Sequence, residues 1–211
     1  MSNLSYMQKA TDRGQLQIHV TTERGFFPIK DASIRLSYTG NPTEIIEELS
    51  TDISGQTAAV ELPAPPLEYS MEPSEFQPYS EYTIQVNASG YRPINISGIS
   101  VLPDKTSIQN VRMETATVEN PLERNIVITA NTLYGNFPPK IPEDEIKPIT
   151  ESGEIVLSRV VIPEYVIVHD GPPSDSSAND YYVRYRDYIK NVASSEIYAT
   201  WPEDTIRANV L

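Results

Sequence analysis

Short stretches in which apolar and polar residues alternate recur along the first half of the chain. Residues 15–20 read QLQIHV and residues 33–38 read SIRLSY, so every second side chain is apolar. A β-strand points successive side chains to opposite faces of a sheet, and a two-residue period is therefore typical of half-buried strands. His19 falls on the polar side of the first of these strands. The alternation predicts that this half of the chain folds as a sheet.

Five more candidate strands follow, each bounded by turn residues. Asp52, Ser54 and Gly55 form one such turn, and residues 87–90 form another. These residue types supply the backbone conformations that tight turns need. Seven short strands in about a hundred residues, with turns every eight to twelve, predict an antiparallel β-sandwich. The five additional strands are predicted at residues 44–50, 56–62, 82–86, 94–101 and 108–113.

Charge and composition exclude several classes of function. Lys and Arg total 16 against 29 Asp and Glu, which gives a formal net charge of -13. A nucleic-acid partner is not expected, because neutralising phosphates requires a basic stripe. The chain has no cysteine, and His19 and His169 stand alone without a ligand spacing, so neither a metal site nor a cofactor is expected.

The start of the chain has neither the basic region nor the apolar region of a secretory signal. No run of about eighteen apolar residues is present, so a membrane span is not expected either. The protein is expected to be made without an evident export signal.

The residues from Asp187 onward set a carboxylate at a notable position. Helical spacing predicts a helix over residues 187–197 that places Glu196 on its inward, apolar face. An inward glutamate is either a structural group, paired or used as a cap, or a proton donor whose burial keeps it protonated. Thr200 and Glu203 form a T-x-x-E capping box, which predicts a second helix starting near Trp201. The apolar pattern still runs at Leu211, and the domain is expected to be truncated there.

The string NVASSEIYATWPEDTIRAN, residues 191–209, resembles the start of the SpoIID-type lytic transglycosylase domain of spore cortex-lytic enzymes. The family's catalytic glutamate falls on Glu196. The resemblance implies that Glu196 protonates the oxygen between N-acetylmuramic acid and N-acetylglucosamine in peptidoglycan, and that the product is an anhydro sugar. It also implies activation by a serine protease, synthesis in the mother cell and deposition at the spore cortex or coat boundary.

Residues 14–113 resemble a second family, the carboxypeptidase regulatory-like domain, whose fold is a transthyretin-like seven-stranded sandwich. The strings that carry the resemblance are GQLQIHV, PIKDASIRL, TDISGQT and EYTIQVNASGYRPI. Such domains usually accompany an enzyme without chemistry of their own. A proline-rich insertion at residues 63–81 is longer than that pattern expects and is interpreted as a surface loop, with a partner as a further possibility.

Together these observations predict four segments. Residues 1–13 form a disordered N-terminus, residues 14–113 the sandwich and pro-region, and residues 114–158 a proline-rich acidic linker that contains the activation cleavage site. Residues 159–211 form the truncated start of an α+β catalytic domain. Within it, Val166, Val168 and their neighbours are predicted to form a buried strand. His169 at the end of this strand either tunes a catalytic proton or is simply solvated.

Two functions remain open at the level of sequence. The first is the N-terminal part of an enzyme that degrades spore-cortex peptidoglycan by lytic transglycosylation, with Glu196 as acid and base. The second is a non-catalytic binding or inhibitory module of a cell-wall or spore-surface protein, in which the C-terminal helices are a docking surface.

Overall fold

The computed structural model describes residues 12–72, 74–117, 122–130, 133–135 and 162–210 of the chain. The described strands are β1 (Asp12–Thr22), β2 (Ser33–Tyr38), β3 (Asn41–Ser50), β4 (Val60–Ala64), β5 (Ser80–Asn87), β6 (Ile94–Val101), β7 (Thr106–Met113), β8 (Arg124–Val127), β9 (Tyr165–His169) and β10 (Asp180–Arg184). The described helices are α1 (Glu68–Met71), α2 (Tyr185–Ser194) and α3 (Glu203–Val210).

The first eight strands form two sheets that face each other across one core. The smaller sheet has the order β4-β1-β7 and the larger sheet the order β3-β2-β5-β6-β8. Most neighbours are antiparallel, as the sequence predicts, while β1 runs parallel to β7 and β6 runs parallel to β8. The predicted fold class is confirmed: a mainly β sandwich with seven strands between residues 12 and 113 precedes a smaller part that mixes strands and helices.

The alternation read from the sequence produces this core. The apolar side chains of β1 point inward and are almost fully buried, while Gln15, Gln17 and His19 lie on the outer face. Each buried aliphatic side chain contributes roughly 2 kcal/mol by leaving water. The other strands of the two sheets complete the core with Ile34, Leu36, Tyr82, Ile84, Val86, Ile96, Ile99, Val101, Val111 and Met113.

Tyr82 joins the two sheets across this core. Its side chain is fully buried on β5, and its hydroxyl donates a 2.6 Å hydrogen bond to the carbonyl of Pro63 on β4. Burial raises the pKa of Tyr82, so the phenol stays a donor. The ring also stacks on Tyr38, with ring centres 5.3 Å apart.

One predicted strand boundary is wrong. The strand expected at residues 56–62 begins only at Val60. The hydroxyl of Thr57 accepts the hydrogen bond of the Ile18 amide, at 3.1 Å, in the place where a ladder would use a backbone carbonyl. A side chain thus replaces one backbone acceptor here, while the Thr57 amide still donates to the Ile18 carbonyl at 3.0 Å and Gln56 forms an isolated bridge with His19.

Part of the predicted linker belongs to the larger sheet. Within the predicted linker, β8 pairs with the first half of β6. Glu114 supports it by binding Arg124 and Arg92 with its two carboxylate oxygens, at 2.9 and 3.1 Å. Residues 136–158 of the predicted linker lie outside the described residues, as do residues 1–11 of the predicted disordered N-terminus. The last two residues of this predicted disordered N-terminus, Asp12 and Arg13, begin β1. The strand predicted around Val166 and Val168 is observed as β9, but it is half-buried and not buried.

Beyond the sandwich, β9 and β10 form an antiparallel hairpin that leads directly into α2. The amide of Tyr185, the first residue of α2, donates to the carbonyl of Glu164 just before β9. This hydrogen bond fixes the start of the helix beside the open end of the hairpin. The part of the chain after residue 162 is therefore a compact hairpin and helix unit followed by α3.

Two glycines offer a matched test of packing at the sandwich turns. Gly55 and Gly40 both have positive φ, +72° and +93°, but a Cβ at Gly55 would lie 2.4 Å from the Val20 carbonyl oxygen, whereas one at Gly40 would meet nothing within 4 Å. Gly40→Ala should cost about 1–2 kcal/mol of unfolding free energy, from backbone conformation alone. Gly55→Ala should cost at least about 1 kcal/mol more, since it adds a clash. Urea denaturation of both variants measures this difference, and equal losses would contradict the packing described.

Candidate functional site

Glu196 lies in a turn after α2 and its side chain is exposed. The prediction that it occupies the inward face of a helix reaching residue 197 is therefore wrong. The helix ends at Ser194, and the amides of Ser195 and Glu196 bond three residues back, to Val192 and Ala193.

Two consecutive serines explain why the helix ends there. The hydroxyls of Ser194 and Ser195 both donate to the carbonyl of Asn191, at 2.8 and 3.1 Å. Serine side chains that bond to nearby carbonyls compete with the helical ladder and favour its ends. The apolar face itself is placed as predicted up to this point, since Tyr185, Ile189 and Val192 are all half-buried. The helical period stops at Ser194 and does not reach Glu196, which is why the predicted inward position of Glu196 is wrong.

Downstream of Glu196 the chain turns back onto the sandwich. The Thr200 hydroxyl is buried and donates a 2.7 Å hydrogen bond to the hydroxyl of Ser70. The indole N–H of Trp201 donates to the carbonyl of the same serine, also at 2.7 Å. Ser70 belongs to α1, in the insertion at residues 63–81. That insertion, which the sequence indicated as a surface loop, thus binds another part of its own chain.

These contacts also change the expected capping box. The second helix begins at Glu203, two residues later than the predicted start near Trp201. Thr200 directs its hydroxyl at Ser70, and its hydrogen bond anchors the chain to α1. Within α3, Glu203 instead pairs with Arg207 at 2.6 Å, one turn along the helix.

An aromatic group lies beside these hydrogen bonds. Tyr79 and Tyr134 meet edge to face with ring centres 5.9 Å apart, and the Tyr134 hydroxyl donates to Gln77 at 3.1 Å. Tyr198 is buried, and its burial together with the nearby Tyr134 raises the pKa of Tyr198 to about 12. Its hydroxyl has no hydrogen-bond partner among the described residues. The phenol is therefore neutral over the physiological range.

His169 closes the loop of the β9–β10 hairpin. Its Nδ1 lies 2.8 Å from a carboxylate oxygen of Asp180, and its Nε2 lies 3.1 Å from the carbonyl of Pro172. Both ring nitrogens thus face acceptors, a setting that favours the doubly protonated ring. In the described part of the chain neither nitrogen bonds to Glu196, and a role for His169 in tuning a catalytic proton has no contact to support it.

A polar cleft of about 330 Å³ lies in the described part of the sandwich. It is lined by the start of β1, the start of β7 and Glu61, and none of the predicted site residues borders it. No group of three or more His, Cys, Asp or Glu in the described ranges is placed to hold a metal ion. None of the described helices combines the length and the apolar character that crossing a membrane requires.

Comparison with known proteins finds distant likenesses only. No family model matches the chain, and no curated protein matches it. Among solved structures, the TIE protein of Bacillus anthracis is 17% identical over 50% of this chain and 17% of its own, with a TM-score of 0.34. A minor pilin of Streptococcus agalactiae is 15% identical over 51% of this chain and 46% of its own, with a TM-score of 0.35. This chain thus spans less than half the length of either protein.

A third solved structure, the 5-hydroxyisourate hydrolase of Klebsiella pneumoniae, is 17% identical over 49% of this chain and 92% of its own, with a TM-score of 0.29. Likeness at this level assigns no activity. The β-sandwich implied by the carboxypeptidase regulatory-like resemblance is present in the structure, whereas the resemblance to the SpoIID-type domain is carried by its sequence string alone.

The hairpin histidine gives a pH prediction with a definite sign. The hydrogen bond to Asp180 is the main reason that the pKa of His169 is raised. A raised folded-state pKa means that the imidazolium stabilises the hairpin loop at pH below about 6.5, the unfolded value, and that this contribution is lost as pH rises through the folded pKa.

Asp180→Asn should lower the pKa of His169 toward the ordinary histidine value, as followed by NMR of the ring protons in a His19→Gln background. Asp170→Asn is the matched control, because Asp170 lies in the same loop and contacts Asn179 through its backbone amide. It should give a clearly smaller change. Equal changes in the two variants would show that the Asp180 hydrogen bond is not the cause.

Proposed function

We propose that this chain is the N-terminal part of a spore cortex-lytic enzyme that degrades peptidoglycan by lytic transglycosylation. The observation that carries the proposal is the string at residues 191–209, which resembles the family's sequence around its catalytic glutamate. The exposure of Glu196 in a turn between two helices is compatible with it, because a catalytic carboxyl must be reachable by a polymeric substrate. The β-sandwich would be the non-catalytic pro-region.

The chemistry assigned to Glu196 requires one carboxyl to act twice. As an acid it gives its proton to the glycosidic oxygen while the bond from that oxygen to C1 of N-acetylmuramic acid breaks. As a base it then takes the proton of the C6 hydroxyl of the same sugar, whose oxygen bonds to C1 and closes the anhydro ring.

A second candidate function is a non-catalytic binding or inhibitory module. The observation that favours it is the docking of Thr200 and Trp201 on Ser70, which uses the C-terminal part of the chain as a docking surface. In that case the exposed carboxylate of Glu196 would be a solvated helix-end group. The two functions differ in a measurable product, since only the first releases muropeptides with anhydro ends.

A matched pair of glutamates separates these functions. In the full-length protein, Glu196→Gln should reduce the release of anhydro-muropeptides from spore-cortex peptidoglycan by at least about a hundred-fold, because the amide cannot donate or accept the transferred proton. Glu203→Gln, seven residues later and also exposed, should leave release within about two-fold of the parent, since it lies outside the catalytic role. Release is measured by chromatography and mass spectrometry of the soluble products. Full activity of Glu196→Gln would reject the assignment, and no release by the parent protein would favour the binding module.

The activating serine protease should cut between Glu114 and Ser158. Chain outside packed elements is where proteases act, so β8 within this range should be spared because it pairs with β6. Incubation of the intact protein with the protease, followed by sequencing of the new N-terminus, locates the cut. A first cut between residues 15 and 113 would contradict the proposed division into pro-region and linker.

A further inference from the structure

The insertion between β4 and β5 offers a preformed receiving surface for a segment that lies far away in sequence. We propose that α1 is a docking site for residues Tyr198 to Trp201, and that this docking lasts only while the chain between the two parts is intact. We call the hydrogen bonds of Thr200 and Trp201 to Ser70 the latch. The inference concerns contacts between side chains and does not depend on the catalytic role proposed for Glu196.

The receiving side of the latch is fixed by the sandwich. The amide of Leu67, just before α1, donates to a carboxylate oxygen of Asp12 on β1 at 2.8 Å. The hydroxyl of Ser70 donates to the Leu67 carbonyl at 2.9 Å, which leaves its lone pairs to accept from Thr200. Tyr69 also stacks on Phe76 across the loop, with ring centres 4.9 Å apart. A four-residue helix held in this way presents its acceptors in a defined direction.

The incoming side matches those acceptors in both number and geometry. Thr200 donates to the hydroxyl of Ser70 and Trp201 donates to its carbonyl, so Ser70 accepts two hydrogen bonds of 2.7 Å each. Ser70 and Thr200 are 2% and 9% exposed, so docking shields both hydroxyls from water and their mutual hydrogen bond replaces bonds to water. Burial makes the pairing selective, because a segment without these donors would be penalised.

The latch is too small to persist between separate molecules. It rests on two hydrogen bonds and the burial of Tyr198, whereas a standard stable interface between two proteins buries roughly 800 Å² on each partner. Within one chain the two sides meet at an effective concentration on the order of millimolar, which sustains even a weak contact. Cutting the connecting chain removes that advantage, and at micromolar protein the two sides should part.

Release would change the surroundings of the Glu196 turn. The docked segment begins at the buried Tyr198, only two positions after Glu196. The turn is thereby held beside the sandwich as long as the latch is closed. Once the latch opens, α2 and α3 are free to move with respect to the sandwich, and the sandwich acts as an intramolecular restraint on that turn.

Trp201 reports on this event without labelling, because it is the single tryptophan of the chain. A recognition sequence for a specific protease is inserted between Ile146 and Lys147, and tryptophan emission and acrylamide quenching are measured before and after cutting. At micromolar protein, cutting should shift the emission to longer wavelength and raise the quenching constant several-fold, and concentrating the cut protein should reverse both. Unchanged emission after cutting would overturn the dependence on the intact chain. Full exposure before cutting would overturn the docking itself.

Variants of the uncut protein test the residues of the latch. Ser70→Ala and Thr200→Val should each raise the quenching of Trp201, and the double variant should do so little more than either alone, because both remove the same hydrogen bond. Thr205→Val is the matched control, since Thr205 is exposed on α3, and it should leave quenching unchanged.

Circular dichroism and the unfolding midpoint confirm that each variant keeps its sandwich. Additive effects of Ser70→Ala and Thr200→Val in a folded protein would contradict the latch. Loss of quenching protection in Thr205→Val would do the same.

Discussion

The buried hydrogen bond from Tyr82 to Pro63 is the contact on which the other parts of the structure depend. It links the central strand of one sheet to an edge strand of the other and lies at the base of the insertion that carries α1. A phenol in an apolar core is stable only when its hydroxyl finds a partner, so the two sheets must keep this spacing and register. The insertion leaves β4 and returns at β5, and its position follows from that register.

The sequence predicts the sandwich well because its physical signal is local. Alternation in β1, β2, β5 and β6 can be read within a few residues, and burial of every second side chain is sufficient to select the strand. Errors appear where a side chain takes over a backbone role. Thr57 replaces a ladder carbonyl next to Ile18, and Ser194 and Ser195 bond to Asn191 and end α2 before Glu196. Such bonds depend on conformation and leave no periodic trace.

The contacts of the candidate site could not be predicted from the sequence for a different reason. Ser70 and Thr200 are separated by 130 positions, and neither serine nor threonine signals a distant partner. Trp201 is the one tryptophan of the chain, but the indole of a tryptophan packs equally well against many apolar surfaces. The assignment of Glu196, by contrast, comes from a short string of residues and not from the surroundings that the fold gives it. The contacts of Thr200 and Trp201 and the catalytic assignment of Glu196 therefore rest on independent observations, although the residues are close in sequence.

The parallel pairing of β8 with β6 has an architectural consequence. The chain enters the sandwich at Asp12, next to α1, and β8 carries it back from the far end toward the same side, where Tyr134 contacts Gln77. The point where the chain enters the sandwich, the point where it leaves and the contacts with Trp201 thus lie at the same end of the sandwich, which we call one pole. The opposite pole, with the loop that contains Phe26 and Phe27, carries no connection to the rest of the protein among the described residues. Loops at that pole can therefore change in length and sequence during evolution without disturbing the contacts between the sandwich and the rest of the chain.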